Sequence, residues 1–138
     1  MTPALLRFEE VEHIADAALR VYGRDWGELL VNAALGMFSL IAHWDDAPPS
    51  TEHHISLTSV DSETLVVDWL GELLYLHEME GEVYIEFEIL SASPTSLQAI
   101  AKGTGQWSPG TAIKAVTFNE LQITATNAGF AVTIVFDI

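Results

Sequence analysis

The chain has 138 residues, no cysteine and a formal net charge of −15, from five basic and twenty acidic side chains. At 49% hydrophobic and 18% charged residues, it carries enough apolar surface to fold as one domain, 1–138, and is not a disordered acidic tail. The missing cysteines exclude a disulfide framework, a thiolate metal site and a cysteine nucleophile. Five cations are too few for tight direct nucleic-acid binding, which neutralises many phosphates.

In chain order, the first expected element is a strand over about 15–22. Asp25 and Glu28 then form a capping-box-like pair at the head of an apolar stripe. Trp26, Leu29, Leu30, Ala33, Ala34, Met37, Phe38 and Ile41 recur at spacings of three and four, which predicts the first helix. The Pro-containing stretch 45–51 reads as a loop, and a strand follows over about 53–60. Asp61 or Ser62 caps a second helix whose buried face carries Val66, Trp69, Leu70, Leu73 and His77. Val83, Ile85, Phe87 and Ile89 alternate with Tyr84, Glu86 and Glu88, the period of a half-buried strand. Further strands are expected over 96–102, 112–118, 121–126 and 130–138, the last two joined by a turn at Asn127-Ala128-Gly129. Two helices among so many strands do not form a βαβ repeat. The predicted class is α+β, a two-layer sandwich of largely antiparallel sheet packed with two amphipathic helices. No apolar run is long enough to span a bilayer, and the first residues lack the pattern of a signal peptide, so a soluble cytoplasmic protein is expected.

The sequence has no nucleophile elbow, no phosphate-binding loop ending in Lys-Ser/Thr and no dinucleotide-binding glycine turn. His53 and His54 are adjacent on a strand and point to opposite faces, so they cannot readily share an ion. His43 and His77 fall at helix ends, where a structural role suits them. Carboxylates remain. Asp16 shares a strand face with Ala18 and Arg20, while Asp137 falls with Thr133 and Val135, and Ile138 adds a free α-carboxylate beside it. Each acid alone reads as a solvated strand end. Brought together they would repel one another without a cation, and with one they make an all-oxygen site suited to Ca²⁺ or Mg²⁺. Periodicity does not say whether Asp16 and Asp137 meet. Lys114 lies in a segment of residues suited to burial, and reads either as an edge guard or as a counter-charge to the carboxylates.

Phe8-Glu9 followed by His13-Ile14-Ala15-Asp16, then Tyr22-Gly23 before the capped helix, resembles the archease family. The resemblance continues through Leu70-Gly71-Glu72-Leu73-Leu74-Tyr75, Gly110-Thr111-Ala112-Ile113-Lys114-Ala115-Val116-Thr117 and the ending Val135-Phe136-Asp137-Ile138. It implies an α+β domain that binds a divalent cation, usually calcium, at its tip, with Asp16, Asp137 and Ile138 as ligands. It also implies a protein cofactor, not an enzyme, that promotes guanylylation of the active-site histidine of an RtcB-type, GTP-dependent RNA ligase in tRNA splicing and RNA repair. Lys114 would contact a phosphate or support the carboxylates, and His13 would orient the start of the Asp16 strand. The chain departs from the family pattern at Gly103-Thr104-Gly105, which has no acid, and at Phe118-Asn119. Two other readings of the acidic residues are a chaperone-like interaction module with a structural ion and a small metal-dependent hydrolase.

Overall fold

The N-caps decide where both helices begin. In the computed structural model, which describes residues 6–11 and 16–138, Asp25 accepts a hydrogen bond from the Glu28 amide and starts α1 (Trp26–Ile41). Asp61 does the same for the Thr64 amide and starts α2 (Ser62–Glu80). Each cap satisfies one of the amides that a helix leaves unpaired in its first turn. At the far end of α2, Gly81 adopts φ 67°, the left-handed conformation that closes a helix at little cost for glycine.

The strands are β1 (Phe8–Val11), β2 (Ala17–Gly23), β3 (Ala42–His43), β4 (Thr51–Thr58), β5 (Val83–Ala92), β6 (Ser96–Thr104), β7 (Ser108–Pro109), β8 (Ala115–Val116), β9 (Ile123–Thr126) and β10 (Gly129–Asp137). All the pairings among described residues are antiparallel, and they divide the strands into three sheets. The α+β class read from the sequence holds. The largest sheet runs β1-β2-β10, with the free edge of β10 shared between β9 at its start and β8 at its end. Being paired along both edges, β10 is suited to its near-continuous apolar run. The second sheet is β4-β6-β5 and the third is the short β3-β7 ladder.

The helices pack against these sheets around one core. Leu19, Val21, Val132, Ile134 and Phe136 meet Leu29, Ala33, Met37, Trp69 and Leu73 there. Trp69 ties the two helices together. Its ring is fully buried, edge-on to Phe87, and its Nε1 donates to the Leu30 carbonyl oxygen at 2.8 Å. Among the described residues no helix is long and apolar enough to cross a membrane.

Two expectations need correction. The strand expected over 112–118 pairs only at Ala115–Val116. Its flanking backbone is used elsewhere: Gly110 and Thr111 donate to the Ile41 and Leu40 carbonyls at the end of α1, and the chain turns at Phe118–Leu121. Helix-end carbonyls lack partners of their own helix, so they draw this segment away from the sheet. Lys114 follows the buried Ile113 but is itself exposed, as is Phe118 on its face. In addition, β1, β3 and β7 had no counterpart in the sequence reading. The early strand begins at Ala17; Ala15, where the sequence placed its start, lies outside the described residues.

Candidate functional site

The register of one strand pair assembles the site. β2 and β10 run antiparallel with Thr133 opposite Arg20, Val135 opposite Ala18 and Phe136 opposite Ala17. The ladder ends with that pair: Asp137 closes β10, and Asp16 is the bend residue just before β2. Directly opposed residues share a face, with Cβ atoms about 4.5–5.5 Å apart. Ala18 and Arg20 therefore lie on the face of Val135 and Thr133, which Asp137 shares by alternation along β10, and Asp16 stands at the same end of the sheet. Leu19, Val21, Ile134 and Phe136 take the other face, toward the helices. Asp16 is half-buried, and Asp137 is exposed. Ile138 follows it, 45% exposed.

The third strand of the site comes from the other edge of β10. Asp137 is the register partner of Ala115, and its carbonyl oxygen accepts from the Lys114 amide at 2.8 Å. Thr117 holds the same clip through its amide and its hydroxyl, both donating to the Val135 carbonyl. Lys114 is thereby placed one residue from Asp137's ladder partner. It also lines an open cavity of about 300 Å³ shared with Val67, Gly71, Tyr75 and Glu78 of α2. Further up the shared face, Arg20 is engaged with the Thr133 hydroxyl at 3.0 Å and lies 5.9 Å from the Tyr22 ring centre.

Asp16, Asp137, Ile138 and Lys114, which were singled out separately in the sequence, thus converge at one end of the five-stranded sheet. His13 lies outside the described residues. Among those described, no three His, Cys, Asp or Glu side chains group together as a metal cage. The acids at this end are Asp16 and Asp137. Carboxylate oxygens are hard donors, of the kind a divalent cation such as Ca²⁺ takes.

The other histidines do not contribute to this site. His54 is exposed, while His53 turns inward to Glu82, with Nε2 2.9 Å from Oε1. His77 sits 2.7 Å from the Glu82 carbonyl oxygen through Nδ1, closing the end of α2, and His43 is exposed in β3. Sequence reading missed the cluster around Glu82, one of the few buried polar residues. Burial would push its carboxyl up, but hydrogen bonds from its neighbours, His53 and Tyr84 among them, outweigh this and hold it below the usual carboxylate range. Burial, with the Glu82 charge alongside, pushes the Tyr84 phenol up. The available signal was Glu82 following the helix-closing Gly81, where a strand start usually offers no reason to bury an acid.

The fold and this acidic sheet end define a small α+β protein with a carboxylate-rich tip and no nucleophile–base constellation among the residues that compose it. The chain belongs to the archease protein family, whose model matches residues 8–138. It is 37% identical to the protein archease of Methanosarcina mazei over 96% of both chains. It is also 33% identical to that of Methanopyrus kandleri, over 84% of this chain and 88% of the relative. Among solved structures, it resembles the solution structure of Methanobacterium thermoautotrophicum protein 1598, with a TM-score of 0.79 and 28% identity, covering 95% and 98% of the two chains. It shares its fold with the crystal structure of a Thermotoga maritima archease described as a possible chaperone, at a TM-score of 0.69 and 20% identity, covering 99% and 100%.

Proposed function

We propose that this protein is a divalent-cation-dependent cofactor of an RtcB-type, GTP-dependent RNA ligase, promoting guanylylation of the ligase histidine. The observation that carries the reading is the β2–β10 ladder, whose last pair, Phe136 with Ala17, leaves Asp137 and Asp16 as the next residues at one end of the sheet, with Lys114 beside β8 there. Asp16, Asp137 and the Ile138 carboxylate are the groups that would hold the cation, with Ca²⁺ favoured over Mg²⁺ by a flexible, exposed chain end. When bound, such an ion supplies positive charge to phosphate oxygens. Lys114, whose amide donates to the Asp137 carbonyl, would contact a phosphate or support the carboxylates. The net charge of −15 suits approach to a ligase surface that is basic enough to hold RNA.

The test is GTP-dependent labelling of a purified ligase over several turnovers, with and without this protein. Stimulation by the wild type, lost in Asp137→Ala and Asp16→Ala while their melting temperatures stay within a few degrees, is the expected result. Undiminished stimulation by both variants refutes the proposal. Ligase binding that persists in chelator, without any stimulation, points instead to a chaperone-like module, the description given to the Thermotoga maritima relative.

A further inference from the structure

A second feature lies at the end of α1, in a cavity that shares no lining residue with the acidic sheet end. The β3–β7 ladder pairs Ala42 with Pro109 and His43 with Ser108. Continuing that register by one step sets Trp44 opposite Trp107, and by one more Asp45 opposite Gln106. The two half-buried indoles, His43, Asp45 and Gln106 line one cavity of about 300 Å³. Both rings keep part of their apolar surface in contact with water, which a ligand seated in the cavity would cover.

The surroundings hold this cavity in shape. Trp107 Nε1 donates to the Gly81 carbonyl oxygen at 2.9 Å, and its ring packs at 5.0 Å from His77. The β7 side is anchored by the Gly110 and Thr111 amides on the Ile41 and Leu40 carbonyls. The chemistry of the lining favours a flat cation. Indole faces attract cations through the ring quadrupole, and Asp45 adds a carboxylate at the rim. A guanidinium is planar and weakly hydrated, stacks on aromatic rings and pairs with a carboxylate in two parallel hydrogen bonds; an ammonium is compact and strongly hydrated.

We propose that Trp44, Trp107 and Asp45 form a receptor for an arginine side chain presented by a partner protein. The four tryptophans make the test internally controlled. Trp69 is bonded inside the core and Trp26 is stacked on Phe130 at 4.2 Å, so their indole N–H signals report on the rest of the fold. N-acetyl-arginine amide is titrated into ¹⁵N-labelled protein, beside its neutral isostere N-acetyl-citrulline amide and beside N-acetyl-lysine amide and spermidine. The expected result is a saturable shift of the Trp44 and Trp107 indole signals with Trp26 and Trp69 unmoved. Binding should be roughly fivefold weaker or more for the citrulline amide and in Asp45→Asn, and lost in Trp44→Leu. Asp45 is exposed, so its variant keeps the test decisive even where Trp44→Leu does not fold. A common drift of all four signals, no saturation, or equal binding by the citrulline amide or by Asp45→Asn overturns the proposal. Tighter binding of spermidine than of the arginine amide overturns the protein source and assigns the cavity to free polyamines.

Discussion

Replacing Asp137 with asparagine should have opposite effects on stability with and without calcium. In chelator, the substitution removes one of the two like charges that the proposed site brings together at the end of the β2–β10 ladder. At a separation of about 5 Å in a largely aqueous setting, that repulsion amounts to about 0.8 kcal/mol. The water-like dielectric is the appropriate one because Asp137 is exposed. For a chain of this length, Asp137→Asn should therefore melt about 2–4 °C above the wild type in chelator, and high salt should shrink the gap by screening. With calcium at a hundred times its dissociation constant, the wild type gains about 2.7 kcal/mol by mass action and rises roughly 8–10 °C. The variant should gain almost nothing, so the order of stability inverts. Melting by circular dichroism in matched chelator and calcium buffers reads all four values. A variant less stable in chelator, or stabilised by calcium as much as the wild type, refutes a cation held between the two acids.

The remaining expectations follow from the same geometry. Extending the chain past Ile138 converts its carboxylate to an amide and should weaken calcium binding about tenfold or more by calorimetry; unchanged affinity removes this group from the site. Lys114→Ala should leave the calcium-dependent melting shift intact, because only the Lys114 amide engages Asp137, and should reduce ligase stimulation several-fold. Unaltered stimulation would leave Lys114 as a charged guard on the exposed β8 edge. Glu82→Gln should cost about 1–2 kcal/mol near neutral pH by weakening charge-assisted hydrogen bonds. The folded-state pKa of Glu82 is lowered, so its contribution is present above the ordinary carboxylate pKa and is lost as pH falls through the folded value. Melting temperatures measured from pH 6 to pH 3 should accordingly converge for Glu82→Gln and the wild type.

Both helices were legible in the sequence because their determinants are local. Asp25 and Asp61 are acids placed three residues before the amides they cap, and the apolar stripes repeat at the helical period. The strand faces of Asp16 and Asp137 were legible for the same reason, since period two is a property of a single strand. The short ladders β1, β3 and β7 were not, because two to four residues carry no period, and β3 and β7 pair across more than sixty residues of chain.

The sequence by itself determined the α+β class, the helix limits and which face of its strand each acid occupies. Only the tertiary structure decided that the two acids stand at one end of the same sheet. The pairing of β2 with β10, strands from opposite ends of the chain, brings this about, and register is selected by burying Leu19, Val21, Val132, Ile134 and Phe136 together against the helices. Lys114 shows the same limit. Its neighbours in sequence suggested burial, yet the hydrogen bonds drawn off by the end of α1 and by Asp137 leave its side chain in solvent. Trp44 and Trp107, unremarked as a pair in the sequence, come to line one cavity through two register pairs that no local pattern encodes.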